Sequence, residues 1–308
     1  MIDILIVQTE TIHIDKITFG KALSLKLKDI MELTKFRLSS LVVFSAVTAY
    51  VLGSSTAVDW SKIALLSLGG FLVTASSITL NQLLEKDIDK LMDRTKTRPL
   101  PTGRMKPLEA TLLAGFFGVS GVVILSVFFN AISGLLGALS LISYAFIYTP
   151  FKRISPAAVF IGAIPGSLPL LIGWTAATGT IGLGGFILFT IQFFWQIPHF
   201  WAIAWLLNDD YKKAGYYLLP TEGGEKNRAA AMQNIPYLFC LISVSALPYI
   251  FGLTGITSLV IAAISGVYFL MCGIQLSTDL TDKSAKKLMF ASFFYIPIVF
   301  IAYMADKI

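Results

Sequence analysis

The feature that most constrains this chain is a recurring apolar run long enough to cross a bilayer. The first reads "FRLSSLVVFSAVTAYVLG", and eight more follow. About 20 apolar residues in a helix span ~30 Å of hydrocarbon. The nine runs lie near 36–53, 63–84, 108–128, 131–149, 156–175, 181–206, 235–254, 256–275 and 288–304. Only 14% of the 308 residues are charged, against roughly a quarter in a soluble domain. Inside lipid the backbone must satisfy its own hydrogen bonds, and runs this long are too extended for barrel strands, so helices are required. The expected fold class is an all-α integral membrane protein, a bundle of nine transmembrane helices. The links at Phe129 and Asn130 and at Gly255 are so short that their flanking helices must be antiparallel neighbours.

Charge gives the orientation. If the nine helices alternate in direction, all but Lys62 and Lys307 of the 24 lysines and arginines fall on one side. Basic loops stay cytoplasmic, which puts the N-terminus and the loops after the second, fourth, sixth and eighth spans in the cytoplasm. The net charge of +6 is then a signal of topology, and no nucleic acid is expected as a partner; the lipid bilayer is. Residues 1–32 read as an N-terminal cytoplasmic segment and 33–308 as one transmembrane domain. The first segment has no hydrophobic secretion core. Its Asp3, Glu10 and Asp15 argue against an acid-poor mitochondrial presequence, so a bacterial plasma membrane is the expected home. His13 in this segment is given no role. Cys240 and Cys272 both lie within apolar runs and read as small core residues, without disulfide or metal spacing.

Two long polar loops interrupt the apolar pattern. The first is "NQLLEKDIDKLMDRTKTRPLPTGR". Asn81, Glu85, Asp89 and Asp93 recur every fourth residue, which on a continuing helix places four oxygen-bearing side chains on one face. Like charges at that spacing repel, and a divalent cation removes the conflict. Mg²⁺ is commonly held by one or two carboxylates together with substrate phosphates. Arg94, Lys96, Arg98 and Arg104 follow, with guanidinium donors suited to phosphate oxygens. The competing reading is a solvated helix end that merely obeys the charge rule.

The second loop, "WQIPHFWAIAWLLNDDYKKAGYYLLP", also runs from a span into acids. His199 lies inside the sixth span, and a polar residue at that depth is a functional candidate; the alternative is a hydrogen bond to a neighbouring helix. If the helix continues, His199 and Asp210 share a face ~16 Å apart. Trp195, Trp201 and Trp205 suit an interfacial belt, expected of at least one, or an aromatic wall for a flat partner. At the end of the fourth span "YTPFKR" adds Lys152 and Arg153, with Tyr148 one turn earlier as a further donor.

At these residues the chain resembles the UbiA superfamily of intramembrane prenyltransferases. Its N-x-x-x-[DE]-x-x-x-D motif is matched by Asn81, Glu85 and Asp89, with Glu85 in place of the commoner aspartate. "DIDKLMDRTKTRPL", "YTPFKRISPAAVFIGAIPGSLPLLIGW" and the second loop are similar to the haem-farnesylating branch, from about Leu33 to the last span. Quinone-forming branches usually carry spaced aspartates where this chain has Pro198-His199-Phe200 and then Asp209-Asp210-Tyr211.

The resemblance implies transfer of a farnesyl group from farnesyl diphosphate to a vinyl group of haem b, with addition of a hydroxyl and release of diphosphate. It implies Mg²⁺ on Asn81, Glu85, Asp89 and Asp210, with Asp209 assisting. It implies substrate binding by Arg94, Arg98, Arg104, Tyr148, Lys152, Arg153 and Tyr211, and His199 as a haem ligand or haem-orienting group. A haem A synthase is an implied downstream partner. The alternatives are an aromatic, quinone-precursor prenyltransferase and, outside that class, a membrane transporter. A transporter's broken helices and midplane polar sites are poorly matched here, since the acids cluster at one interface.

Overall fold

The structure, a computed structural model, describes residues 19–55 and 57–308. His13 and the acids at 3, 10 and 15 lie outside the described residues. The chain begins with α1 (Phe19–Leu33), an amphipathic helix whose Ile30 and Leu33 pack against Leu83, Leu100 and Met105. There follow α2 (Phe36–Gly53), α3 (Trp60–Glu85), α4 (Pro107–Phe128) and α5 (Ala131–Ile142). From α5 the helix widens into a π-helical stretch, Ser143–Tyr148, and ends as α6 (Thr149–Phe151). Next come α7 (Ala158–Thr178), α8 (Leu183–Leu206) and α9 (Asn208–Lys213). The seventh span is broken into α10 (Arg228–Met232), α11 (Asn234–Val244) and α12 (Leu247–Ile250), and α13 (Ile256–Asp279) and α14 (Asp282–Ala305) complete the bundle. Among the described residues nine helical segments are long and apolar enough to cross a membrane, matching the nine runs.

Two boundaries fall earlier than the apolar pattern suggests, because capping chemistry and not hydropathy sets them. The seventh span starts at Arg228 instead of 235, where the Asn227 side chain accepts from the Ala230 N–H at 2.9 Å. The last starts at Asp282 instead of 288, where Thr281 accepts from Ser284 N–H at 3.2 Å. Side-chain caps of this kind satisfy amides that the helix itself leaves unpaired.

With no hydrophobic drive between helices in lipid, close backbone approach and interhelical hydrogen bonds hold the bundle together. At the α3–α4 crossing a Cβ on Gly121 would meet Val73 N at 2.8 Å and Gly69 O at 2.9 Å, and Ser76 Oγ donates to Ala114 O at 2.7 Å. The most enclosed span is α7, 72% of whose central window is buried; it packs on α2, α5 and α8. Trp201 and Trp205 are buried core residues. Trp205 Nε1 donates to Asp282 at 3.1 Å, and half-buried Trp195 donates to Ser292 O at 2.8 Å. Cys240 and Cys272 are both free.

The two ends of the bundle differ as the charges require. Lys307 donates to the Val51 and Ser54 carbonyls where α2 finishes. At the other end, where α2 begins, the loops after α3 and α8 meet over α6. This basic end holds the site.

Candidate active site

The site starts with α3, which ends at Glu85. The expected helix through Asp93 is not formed. The chain turns and forms one 3₁₀ turn at Asp89–Leu91, so Asn81, Glu85 and Asp89 point inward while Asp93 is exposed. A uniform step of four residues could not foresee that break, because nothing local forbids helix there.

Asn81 Nδ2 donates to Glu85 Oε2 at 2.9 Å and to Thr149 Oγ1 at 3.0 Å. Thr149 passes its own proton to Tyr144 O at 2.9 Å, so the π-helical stretch is tied to the first loop; insertions of this kind are frequent at functional sites. Glu85 Oε1 receives Lys152 Nζ at 2.6 Å and the Tyr216 hydroxyl at 2.7 Å. Asp89 is 1% exposed; Arg98 donates to its Oδ2 at 2.7 Å, while Oδ1 is buried with no donor. A buried carboxylate oxygen left unpaired is unfavourable, and a cation placed against it resolves the deficit. Asn81, Glu85 and Asp89 thus form a fitting oxygen set for a hard divalent ion. Among the described residues no three His, Cys, Asp or Glu side chains form a ready-made cage.

Around this core lie the cations. Lys152 also sits 5.1 Å from the Tyr148 ring centre and 5.5 Å from that of Tyr216. Tyr148 is half-buried and packs so closely on α7 that a Cβ on Gly162 would meet its ring at 2.6 Å. Arg94 stands 5.8 Å from the ring centre of half-buried Tyr211. Arg153 is exposed and, with Lys152, lines a cleft of about 390 Å³ that also includes Tyr217 and Thr221.

The second loop reaches the site differently from the expectation. α8 stops at Leu207 (φ −103°, ψ 14°), and α9 sets off anew, so the extrapolated register from His199 to Asp210 is lost. Asp210 is not gathered with Glu85 and Asp89. Its carboxylate accepts the Asp93 N–H at 2.8 Å and the Arg94 N–H at 3.3 Å, clasping the two loops together. Burial opposes its ionisation, but those amides and Lys213 hold its pKa below the ordinary value. Asp93, bonded by Lys213 and Lys96, is held down at about 2. Asp209 is exposed. The second loop instead delivers buried Tyr216 to Glu85; burial and the Glu85 charge push its phenol pKa up. Arg104 also stands apart. Its guanidinium engages Asp29, Glu32 Oε2 at 3.0 Å and Thr97 O at 2.8 Å, fastening α1 to the first loop.

Lys35 is a further residue that sequence reasoning missed, having counted it only as a topology charge. It occupies the α1–α2 junction in the left-handed region (φ 45°, ψ 59°). Its side chain is half-buried: burial and then the Arg98, Arg94 and Lys152 charges lower its pKa to about 7, with Asp89 pulling the other way. No spacing rule signals it, since a turn between two helices aims it.

Deeper in the bundle, His199 is 8% exposed and stacks on Trp195 at 4.7 Å. Its Nδ1 lies 2.7 Å from Ser292 Oγ, whose own proton goes to Met289 O at 2.5 Å. Ser292 is therefore the acceptor, Nδ1 carries the proton, and Nε2 presents a lone pair.

A family model described as the UbiA prenyltransferase family matches residues 42–296. A protoheme IX farnesyltransferase of Cytophaga hutchinsonii is 47% identical over 277 residues, covering 90% of this chain and 96% of that one. One of Christiangramia forsetii is 46% identical over 288 residues, covering 91% and 94%. Among solved structures, digeranylgeranylglyceryl phosphate synthase aligns at a TM-score of 0.75 with 21% identity, over 91% of this chain and 98% of that one. A UbiA homolog from Archaeoglobus fulgidus bound to GPP and Mg²⁺ aligns at 0.64 with 16% identity, over 90% and 99%. Sequence and fold agree: this chain belongs to the UbiA prenyltransferase family.

Proposed function

We propose that the chain transfers the farnesyl group of farnesyl diphosphate to a vinyl group of haem b, with water supplying a hydroxyl and diphosphate leaving. The observation that carries the reading is the buried Asn81–Glu85–Asp89 set, faced by Arg98 and Lys152 at the mouth of an apolar bundle. The acceptor is taken from the name shared by the curated relatives, together with a deep imidazole whose free nitrogen suits haem iron.

In the reaction the C1–O bond of the donor breaks, and its electron pair departs with diphosphate. The terminal vinyl carbon attacks C1, the positive charge moves to the carbon beside the porphyrin ring, and water adds there with loss of a proton. Arg94, Arg98, Lys152 and Lys35 would meet the charge that develops on the leaving group, the main task of a preorganised electrostatic site. Asn81, Glu85 and Asp89 would hold Mg²⁺, which when bound supplies positive charge to the departing diphosphate. Tyr216 fixes the Glu85 carboxylate, and Asp210 keeps the Arg94 backbone in place. Tyr144, Tyr148 and the apolar helix faces exclude bulk water, which would otherwise quench the allylic cation. His199 would orient the haem through Nε2. The positive-inside rule supports a cytoplasmic basic end, and the bundle would lie in the plasma membrane of a bacterium.

Purified protein in proteoliposomes, supplied with radiolabelled farnesyl diphosphate and either haem b or 4-hydroxybenzoate, tests the reading. The expected product is a haem whose mass has risen by a farnesyl group and a hydroxyl. Label in the aromatic acid and none in haem overturns it.

A further inference from the structure

The cleft of about 390 Å³ on the basic end lies between the turn that follows α6 and the loop that follows α9. Two pairs of adjacent residues relate it to the polar cluster. Lys152 and Tyr216 are the inner members, and both bond Glu85 Oε1, at 2.6 Å and 2.7 Å. Arg153 and Tyr217 are the outer members, and both line the cleft. Lys152 lines it as well. One side chain thus touches both the cleft and the buried carboxylate.

The lining suits a small anion. Lys152 and Arg153 bring two positive charges, and a guanidinium can grip two oxygens of one phosphoryl group. Ser155 Oγ accepts the Ala157 N–H at 3.1 Å, which leaves the hydroxyl proton to donate. On the opposite wall Gly223 and its neighbour Gly224 have φ of 63° and 64°, a region that glycine enters without strain. A Cβ on Gly224 would meet Tyr217 Cα at 3.2 Å, so the turn folds back on Tyr217 and closes that side. The one acid on the lining, Glu222, is exposed and opposes an anion. Prenyl transfer frees one diphosphate per turnover beside Lys152. To enter the cleft, that anion need only pass from one residue to the next, Lys152 to Arg153.

We infer that this cleft is an outer anion site, which receives the diphosphate released beside Glu85 and Lys152 and hands it on to water. The inference rests on the prenyl-transfer reading above and adds to it a path for the leaving group.

The test uses the full-length protein in phosphatidylcholine vesicles. It is first saturated with farnesyl thiodiphosphate, an unreactive donor analogue with sulfur on C1, so that the inner site is occupied. Binding of radiolabelled inorganic diphosphate is then measured. One further diphosphate per chain is expected. Arg153→Gln should weaken it at least tenfold. Ile154→Glu places a negative charge on a lining position that is 70% exposed and should weaken it as much. Glu222→Gln removes the opposing charge and should tighten it several-fold. Ile154→Glu and Glu222→Gln should keep the affinity for the analogue within twofold, which also shows their folds intact. No diphosphate on the loaded protein, or equal binding in all three variants, overturns the outer site. So does displacement by inorganic phosphate, or by phosphatidylglycerol in the vesicle, as readily as by unlabelled diphosphate. The measurement needs neither haem nor turnover. A chain that does not bind the analogue defeats the prenyl-transfer reading; one that binds the analogue and no diphosphate defeats the outer site alone.

Discussion

Ser292 decides which nitrogen of His199 is available, since its hydroxyl proton is committed to Met289 O and only a lone pair is left for the imidazole. Ser292→Ala removes that acceptor and permits the other tautomer. The expected result is a shifted haem absorption spectrum on titration with haem b and a weakening of binding of several-fold, in line with ~1 kcal/mol for one hydrogen bond. Ser292→Thr, which keeps the hydroxyl, should restore both, and His199→Ala should abolish the signal. Lys35 makes a prediction in pH. With its pKa lowered to about 7, it is charged in the free protein below pH 7 and largely neutral above. A bound diphosphate favours the ammonium, so donor binding above pH 7 takes up a proton, and the donor Kd should rise by up to tenfold per pH unit. Lys35→Arg keeps its charge throughout, and its Kd should stay flat from pH 7 to 9. An unchanged slope in that variant assigns the titration elsewhere.

At the level of elements, the Asp210 carboxylate clasps the two loops together. Asp210→Ala strips the Asp93 and Arg94 amides of their acceptor. Hydrogen exchange at those amides should accelerate and the donor KM should rise several-fold, while exposed Asp209→Ala leaves both unchanged. The sequence made the existence of the two loops plain, since each follows an apolar run and is crowded with charge. It did not make their geometry plain. A helix extrapolated past Glu85 or past Leu207 puts Asp93 and Asp210 on the wrong faces, because each helix ends where tertiary contacts offer the backbone better partners. Thr149, Tyr216 and Ser292 escaped notice for a related reason. A lone hydroxyl has no spacing signature, and only a helix from elsewhere in the chain gives it meaning. Asn81, Glu85 and Asp89 were legible because two lie on one turn-by-turn face of α3 and the third follows within a single turn.

At the scale of the molecule, nine apolar runs separated by short links leave little freedom except a bundle, and the one-sided distribution of lysine and arginine picks its basic end. That much is written in composition and periodicity. The seventh span and the last began earlier than hydropathy alone indicated, because Asn227 and Thr281 cap polar first turns. The magnesium reading is tested at this scale too. Chelation by EDTA should reduce farnesyl transfer by at least a hundredfold and be reversed by Mg²⁺. Donor-dependent thermal stabilisation in the presence of Mg²⁺ should disappear in Asp89→Asn, a readout that needs no turnover. Retained transfer without any divalent ion removes the ion from the account.

The pairing of Glu85 with Lys152 and of Asp89 with Arg98 has a consequence for discrimination. A lone phosphate that takes over one of these cations strands a buried carboxylate; a lone divalent ion gains only the unpaired Asp89 Oδ1 unless it in turn strands a lysine or arginine. When both arrive as one complex, every partner is exchanged for another of like sign, and nothing is stranded. The resting enzyme is thereby a coincidence detector. Inorganic phosphate at cellular concentrations and free divalent cations should each bind it poorly, and their affinities, measured singly and together by calorimetry, should be strongly synergistic.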